Sequence, residues 1–431
     1  MTLSVEWAVH IGDVATATDF SDRATGISIR QPLGFMQPAS HQCVLTLNNF
    51  DGALTPGAGG TYSTINWFEQ AIFVTCTVNG TETAEVFHGI IDDFDLADDG
   101  TNSVVTVTAL DWFSIGARAF AQIDSSVSTP IPWTERVQAT INAATVSYGY
   151  PSLPALNQTL GVFTFYFVPL RNEEYAAGSV TIGTYREKGD ALADIQFKYE
   201  QAGVPSTIWP TTIEQYTDSY GYDYALYRAG VVGDTLTRTD TGATTFSFTE
   251  NTPTAGQLPV GEIDRGYNID RVLNNASVTS VFTTNTSIST DNTSTGTIGA
   301  KSITARASAM TDDTDVQRMT DNIVARFANV HFMARKLQVD SAQWSPTDAG
   351  SREELAQLLD VRYGLWQAAA VTYTPTGTAT QQTDHTVIAG RTIQATPHRT
   401  TITLDLLPAA DYQSFTLDSD VLGVLDQNRL G

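Results

Sequence analysis

Residues 71–91 read AIFVTCTVNGTETAEVFHGII, two largely apolar runs joined by Asn79 and Gly80. An Asn-Gly step between such runs is typical of a two-residue β-hairpin, because a type I′ turn needs positive φ at both central residues. A second hairpin is predicted directly after it, from DFDLA through Asp98, Asp99 and Gly100 to SVVTVTAL at 103–110. Two hairpins in succession predict an antiparallel meander, which usually closes into a barrel or packs as a sandwich.

The strand before these hairpins ends in an unusual loop. Cys43, Leu45 and Leu47 alternate with more polar neighbours, which is the period of a half-buried strand, and the sequence continues NNFDGALTPGAGG to residue 60. Asn, Asp, Gly and Pro supply turn chemistry here. The stretch lacks the Lys and the helix of a phosphate-binding loop. We expect the loop to project from the first domain toward a neighbouring subunit or another protein.

The rest of the chain mixes helix and strand signals. Two helices are predicted over 133–149 and 189–203. A third is predicted over about 312–329, where one face carries Val316, Met319, Ile323 and Phe327. A fourth is predicted to begin at Ser351, with Glu354 in the capping-box position. Residues 161–169 and three segments after residue 370 (VTYTP, HTVIAG and HRTTITLDLL) read as strands. The Thr- and Ser-rich residues 276–299 are interpreted as strand plus exposed loop. The fold class is therefore mainly β with α+β insertions.

Composition narrows the classes of function. The chain has 431 residues, enough for about three domains, and a formal net charge of −24. Such a charge disfavours a groove that grips nucleic acid and also disfavours an anionic membrane surface. It fits a passage that DNA crosses without sticking, and equally an ordinary acidic surface. We expect neither a signal peptide nor a membrane-spanning helix. Cys43 and Cys76 favour buried free thiols, so we expect assembly in a reducing cytoplasm.

No recognised catalytic, cofactor or metal motif is found in the sequence. Asp residues crowd positions 92–99, but the spacing is wrong for an EF-hand loop, and solvated carboxylates beside a hairpin turn are the simpler interpretation. The six histidines have no metal-ligand spacing, and no P-loop, G-x-S-x-G or H-E-x-x-H motif occurs. We therefore predict no catalytic, cofactor-binding or metal-binding residues and no enzyme activity. Trp209 and the Tyr-rich residues 216–227 could stack on sugar rings, although a packed loop or interface is the favoured interpretation.

Several segments occur in an order that resembles a known family. These are the strand and Asn/Asp-Gly loop of residues 43–60, the strand with Phe87 and Gly89, the VTVTALDWF segment at 105–113, the helix-like ERVQATINAA segment and the closing FTLDSDVLGVLDQNRLG. Together they resemble the minor tail proteins of long-tailed phages, especially phages of actinobacteria, which are similar to baseplate-hub or tail-tip hub proteins. The resemblance covers about the first 155 and the last 40 residues.

The resemblance implies two β-barrel domains related to the tail-tube fold, with α+β modules added. Residues 1–118 would form the first barrel, 119–262 a middle module that partly completes it, and 263–431 the second barrel-like domain with helices. It also implies a structural virion protein at the tail tip, in which three copies form a ring that joins the tube to the tip and lines the DNA exit path. Its partners would be its own copies, the distal tail protein, the tape-measure protein and other tip proteins, with DNA passing unbound and no membrane anchor. The alternatives are a hexameric distal tail protein and a glycan-binding receptor-recognition module.

Overall fold

The computed structural model describes the chain in a series of segments. They are residues 4–12, 17–32, 41–57, 59–63, 65–68, 70–100, 102–111, 158–160, 163–169, 212–217, 223–229, 245–250, 253, 256–280, 284–307, 313–343, 349–360, 365 and 367–409. The helices predicted over 133–149 and 189–203 lie outside the described residues. So do residues 112 and 113 at the end of the VTVTALDWF segment, and the closing segment FTLDSDVLGVLDQNRLG.

The N-terminal half is an antiparallel sheet. Its strands are β1 (Val5–Ile11), β2 (Thr18–Asp19), β3 (Ala24–Gln31), β4 (Gln42–Asn48), β5 (Ala71–Val78), β6 (Glu82–Asp98) and β7 (Ser103–Leu110). They lie in the order β2-β1-β5-β6-β7-β4-β3. Both predicted hairpins are confirmed, with φ of 50° at Asn79, 71° at Gly80 and 79° at Gly100. The 17-residue β6 serves both hairpins, since it pairs first with β5 and then with β7.

A separate sheet of four strands is described in the middle of the chain. Its strands are β8 (Gln158–Leu160), β9 (Phe163–Pro169), β10 (Thr212–Thr217) and β11 (Asp223–Ala229). Their order is β10-β11-β9-β8, with β9 and β11 parallel and the other two pairs antiparallel. The strand predicted over 161–169 is thereby confirmed.

The C-terminal half contributes another set of strands to the large sheet. They are β12 (Thr245–Thr249), β13 (Leu258–Pro259), β14 (Glu262–Tyr267), β18 (Phe332–Asp340), β19 (Ala368–Tyr373), β20 (Gln382–Thr396) and β21 (Arg399–Pro408). Their order is β13-β12-β19-β20-β21-β18-β14. The three predicted C-terminal strands are confirmed as β19, β20 and β21. The mainly β fold with small helical parts is confirmed as a whole.

Three short strands and three helices complete the description. They are β15 (Asn275–Ser280), β16 (Thr286–Thr290), β17 (Ser302–Ala307), α1 (Asn292–Ile298), α2 (Asp313–Phe327) and α3 (Ala349–Leu359). Helix α2 confirms the prediction over 312–329: it packs against β15 and β16 and buries Val316, Ile323 and Phe327. Among the described residues, no helix is long and apolar enough to cross a membrane.

Two sequence interpretations are corrected here. Residues 276–299 contain the helix α1 as well as strands, because Asp291 caps its first turn by accepting from the Ser294 N–H at 2.9 Å and Gly299 ends it with φ of 79°. Helix α3 begins at Ala349 rather than Ser351, so Ser351 lies inside the helix and the predicted capping box is wrong.

The two halves of the large sheet are joined by one pair of strands. Residues 391–395 of β20 pair antiparallel with residues 27–31 of β3, so that hydrogen bonds run from the N-terminal meander into the C-terminal strands. A single hydrophobic cluster runs through both halves, and it includes Cys43, Leu45 and Leu47 on the inner face of β4. The borders predicted at residues 118 and 262 stay predictions.

Candidate functional site

The loop after β4, residues 49–68, is anchored by a buried polar side chain. Asn49 is fully buried; its Nδ2 donates to Thr55 Oγ1 at 3.0 Å and to Ser103 Oγ at 2.9 Å, while its Oδ1 accepts from the Leu54 N–H at 2.7 Å. Its own N–H donates to the Ser103 carbonyl at 2.9 Å. Every polar group of a buried amide needs a partner, and here these partners tie the start of the loop to its middle and to β7. We call this segment the 49–68 loop.

An ion pair connects the 49–68 loop to Arg23, the residue that directly precedes β3. Arg23 donates to both carboxylate oxygens of Asp51, at 2.9 Å and 2.6 Å, and its guanidinium lies 5.6 Å from the centre of the Tyr62 ring. The hydrogen bonds from Arg23, followed by that from the Ala53 N–H, hold the pKa of the Asp51 carboxyl well below its usual value. Both side chains are partly exposed, so the pair orients the loop more than it stabilises the fold.

The underside of the 49–68 loop covers one end of the core. Trp67 is buried between Phe20, at 5.6 Å between ring centres, and Phe94, at 4.9 Å, and Leu54 is fully buried beside them. The 49–68 loop therefore packs on the hydrophobic core and covers it like a lid. Its outer surface nevertheless presents Phe50 and Phe68, which are 69% and 59% exposed.

Gly60 lets the returning chain of the loop pass close to its outgoing part. A Cβ at Gly60 would lie 2.7 Å from Ala53 Cα and 2.8 Å from the Gly52 carbonyl oxygen, both backbone atoms that cannot give way cheaply. The glycine is therefore required by close approach. The turn geometry predicted for this stretch agrees with these contacts.

A second polar cluster is buried where the two halves of the sheet meet. Arg391 of β20 is fully buried; its Nε donates to Gln31 Oε1 of β3 at 2.5 Å, and its Nη1 donates to the carbonyls of Leu358 and Asp360 at the C-terminal end of α3. The guanidinium thus caps a helix whose last carbonyls lack intrahelical partners. These contacts connect β3, β20 and α3, and we call them the Arg391 seam.

His41 extends the Arg391 seam into the N-terminal half. Its Nδ1 lies 3.3 Å from Gln31 Nε2, and its backbone N–H donates to Asp111 Oδ2 at 2.8 Å. Since Gln31 Oε1 accepts from Arg391, its Nε2 is the donor to Nδ1, which requires a neutral imidazole. Burial and, second, the positive charge of Arg391 lower the pKa of His41 from 6.5 to about 3. At neutral pH the buried imidazole of His41 is therefore uncharged, and the contacts of the seam hold β3, β20 and α3 together.

A groove opens on the surface of the C-terminal half, beside an edge strand. Residues 262–265 of β14 form one wall, Phe332 lies at one end, and residues 375–382 of the turn between β19 and β20 form the opposite wall. Its volume is about 770 Å³. In the described part of the chain β14 pairs only with β18, so its outer edge is open. Tyr267 and Phe332 stand at the end of these two strands, 59% and 56% exposed, with ring centres 5.1 Å apart.

The structure places several residues that the sequence singled out as candidates. Cys43 and Cys76 are buried free thiols, as expected, and burial raises the pKa of both. The carboxylates predicted to flank the second hairpin turn are solvent-exposed along β6. The Tyr-rich stretch forms the ends of β10 and β11 with Tyr216 opposite Tyr224, but its side chains and Trp209 lie outside the described detail. Among described residues no group of three His, Cys, Asp or Glu side chains is placed to hold a metal ion.

Neither the Arg391 seam nor the groove was predicted from the sequence. Gln31 and Arg391 are 360 positions apart, and no local pattern connects them. An arginine within the apolar alternation of β20 was the only available signal, since lone arginines are seldom buried without partners.

The sequence matches no protein-family model, and no curated protein matches it. Its structure, by contrast, is similar to the tail protein from Neisseria meningitidis MC58, with a TM-score of 0.52, 10% identity, and an alignment that covers 94% of this chain and 98% of that one. It is also similar to the 43 kDa tail protein of prophage MuSo2 from Shewanella oneidensis, with a TM-score of 0.50, 10% identity and the same coverage. The chain shares the fold of these tail proteins. The likeness extends over nearly the whole of each chain, so it concerns the arrangement of both halves and not one module.

Proposed function

We propose that the chain is a structural protein of a phage tail, located at the tail tip. The observation that carries this proposal is the likeness to two tail proteins over 94% of this chain and 98% of theirs. The order of family-like segments in the sequence supports it independently. A phage of actinobacteria as the source stays a prediction from the sequence.

The finer proposal is a ring of three copies that joins the tail tube to the tip and surrounds the DNA exit path. A closed ring needs a head-to-tail contact between two different surfaces of each chain. The 49–68 loop supplies one such surface, because Phe50 and Phe68 are exposed on a lid that Asn49 and Trp67 hold in place. Aromatic side chains presented on a rigid support favour association, since little conformational entropy is lost on docking.

The charge of the chain suits this position. A formal net charge of −24 repels phosphate, so DNA can pass a wall of such subunits without being held. In this proposal the partners are neighbouring copies, the distal tail protein, the tape-measure protein and other tip proteins. The protein acts by shape and contact and has no catalytic role.

Native mass spectrometry of the purified chain tests the ring. Three copies are expected; six would favour the distal tail protein, and a monomer at all concentrations would contradict self-assembly. Replacing Phe50 and Phe68 together by Ser should shift the population toward monomer. The matched control is Ile288→Ser, which removes an equally exposed apolar side chain from β16, 63% exposed, and should leave assembly unchanged.

A further inference from the structure

We propose that the groove between β14 and the turn at residues 375–382 binds a neutral oligosaccharide. The proposal is independent of the tail-tip ring, and it concerns residues other than Trp209 and the Tyr-rich strands. Its volume of about 770 Å³ lies within the range of sites that take small ligands.

The first argument is the aromatic end of the groove. Phe332 is 56% exposed, and the Tyr267 ring packs against it edge-on, with ring centres 5.1 Å apart and an interplanar angle of 67°. The C–H face of a sugar ring packs on such an aromatic face. An exposed, supported ring beside a groove is therefore a platform for one sugar unit.

The second argument is the balance of polar groups along the walls. Thr376, Thr378 and Gln382 bring hydroxyl and amide groups, and Glu262 brings a carboxylate. Sugar hydroxyls both donate and accept hydrogen bonds, so they need a lining that does both. A lining of donors alone or acceptors alone would favour an anion or a cation instead.

The third argument is charge. The groove is lined by the carboxylates of Glu262 and Asp264 and the guanidinium of Arg265. Arg335, which lies outside the lining, forms an ion pair with Asp264, so that these four formal charges sum to zero in a chain whose net charge is −24. Asp264 accepts from Arg335 at 3.3 Å and 3.2 Å, and Arg265 lies 4.4 Å from the centre of the Tyr373 ring. The neutral balance selects an uncharged ligand.

Gly266 keeps part of this arrangement in place. A Cβ at that position would lie 2.7 Å from Cζ and Nε of Arg335, so the guanidinium lies directly over the β14 backbone. The Asp264 carboxylate is consequently oriented before any ligand arrives, and pre-orientation lowers the entropic cost of binding.

The test is saturation-transfer NMR and calorimetry on the full chain with three probes, maltotetraose, cellotetraose and chitotetraose. At least one is expected to bind, and Phe332→Ala should weaken that binding about tenfold, because it removes the stacking face. Phe332→Tyr should retain it, Asp264→Asn should weaken it, and Ile288→Ala is the matched control that should bind as the parent chain does.

Three results would overturn the proposal: none of the neutral oligosaccharides binds, the binding persists in Phe332→Ala, or polygalacturonate tetramer binds more tightly than every neutral probe. Because Phe332 is largely exposed, the variant should fold, and an unchanged circular dichroism spectrum would establish that loss of binding is local. None of these outcomes depends on whether the chain forms a ring.

Discussion

Asn49 is a polar residue without exposed surface that holds an entire loop in one conformation. Its amide bridges the loop's middle, through Leu54 and Thr55, and strand β7, through Ser103. Neighbouring Asn48 has the same chemistry but only accepts from the Phe50 N–H at 2.9 Å near the surface. The two adjacent asparagines thus differ in burial and not in type.

Replacing Asn49 by Ala should lower the free energy of unfolding by about 2 kcal/mol or more, because the buried Leu54 N–H loses its acceptor and the amide bridge to β7 is lost. Urea unfolding followed by circular dichroism measures this change. Asn48→Ala is the control and should cost about 1 kcal/mol at most. Equal effects of the two substitutions would contradict the role assigned to Asn49.

Residues with a local signature were predictable, and residues defined by distant partners were not. Asn79 and Gly80 predict a turn, because only a few residue types readily adopt positive φ. The alternating positions of Cys43, Leu45 and Leu47 predict the buried face of a strand. The burial of Asn49 depends on Ser103, 54 positions away. The residue types of the 49–68 loop therefore predicted a turn. That the loop packs on the core could be seen only in the tertiary structure.

At the scale of elements, strands were predicted better than helix ends. Strong alternation and turn residues mark β4 to β7, whereas α1 consists of Asn, Thr, Ser, Gly and Ile, which have weak helix propensity. Its capping by Asp291 and Gly299 outweighs that composition. At α3 the local motif was misleading. Ser351 and Glu354 suggested that the helix begins at Ser351, but the helix begins two residues earlier, at Ala349.

The Arg391 seam holds three elements together, and its removal should be costly. Arg391→Met should lower the free energy of unfolding by about 3 kcal/mol, because Gln31 and the α3 carbonyls lose a buried donor. Denaturant unfolding of the variant checks this value. The control is Arg30→Met, which changes an exposed arginine next to Gln31 and should alter the free energy of unfolding by no more than about 0.5 kcal/mol. An Arg391→Met variant as stable as this control would contradict the role assigned to the Arg391 seam.

The seam also predicts a dependence on pH. The pKa of His41 is about 3 in the folded chain and near 6.5 when unfolded, so protons bind the unfolded state preferentially between these values. Its contribution to stability is complete above pH 6.5 and is lost as the pH falls toward 3. His88 is similarly buried, with its pKa lowered to about 3, so it adds a parallel loss.

Stability should therefore fall between pH 6.5 and pH 5 by up to about 1.4 kcal/mol per pH unit for each of these histidines. Thermal unfolding at a series of pH values measures the slope. His41→Gln should reduce the slope by one histidine's share, whatever its effect on stability at pH 7.5. A flat profile in this window, or an unchanged slope in the variant, would argue against a buried neutral His41.

At the scale of the whole molecule, the halves predicted as separate barrel-like domains share one hydrogen-bonded sheet through β3 and β20. No local signal could predict this pairing, since it joins residues 27–31 to residues 391–395. The class of fold was nonetheless predictable, because alternation and turn residues indicated a mainly β chain. A chain joined in this way presents both halves in a fixed relation, which suits the proposed ring.

The most direct test of the proposed tail-tip role is electron cryo-microscopy of particles purified from the phage or prophage that encodes the chain. Three copies should form a ring around the tail axis at the tip, below the tube, with Phe50 and Phe68 at a subunit contact. Particles whose tail density has no place for the chain, together with its absence from their mass spectrum, would contradict the account.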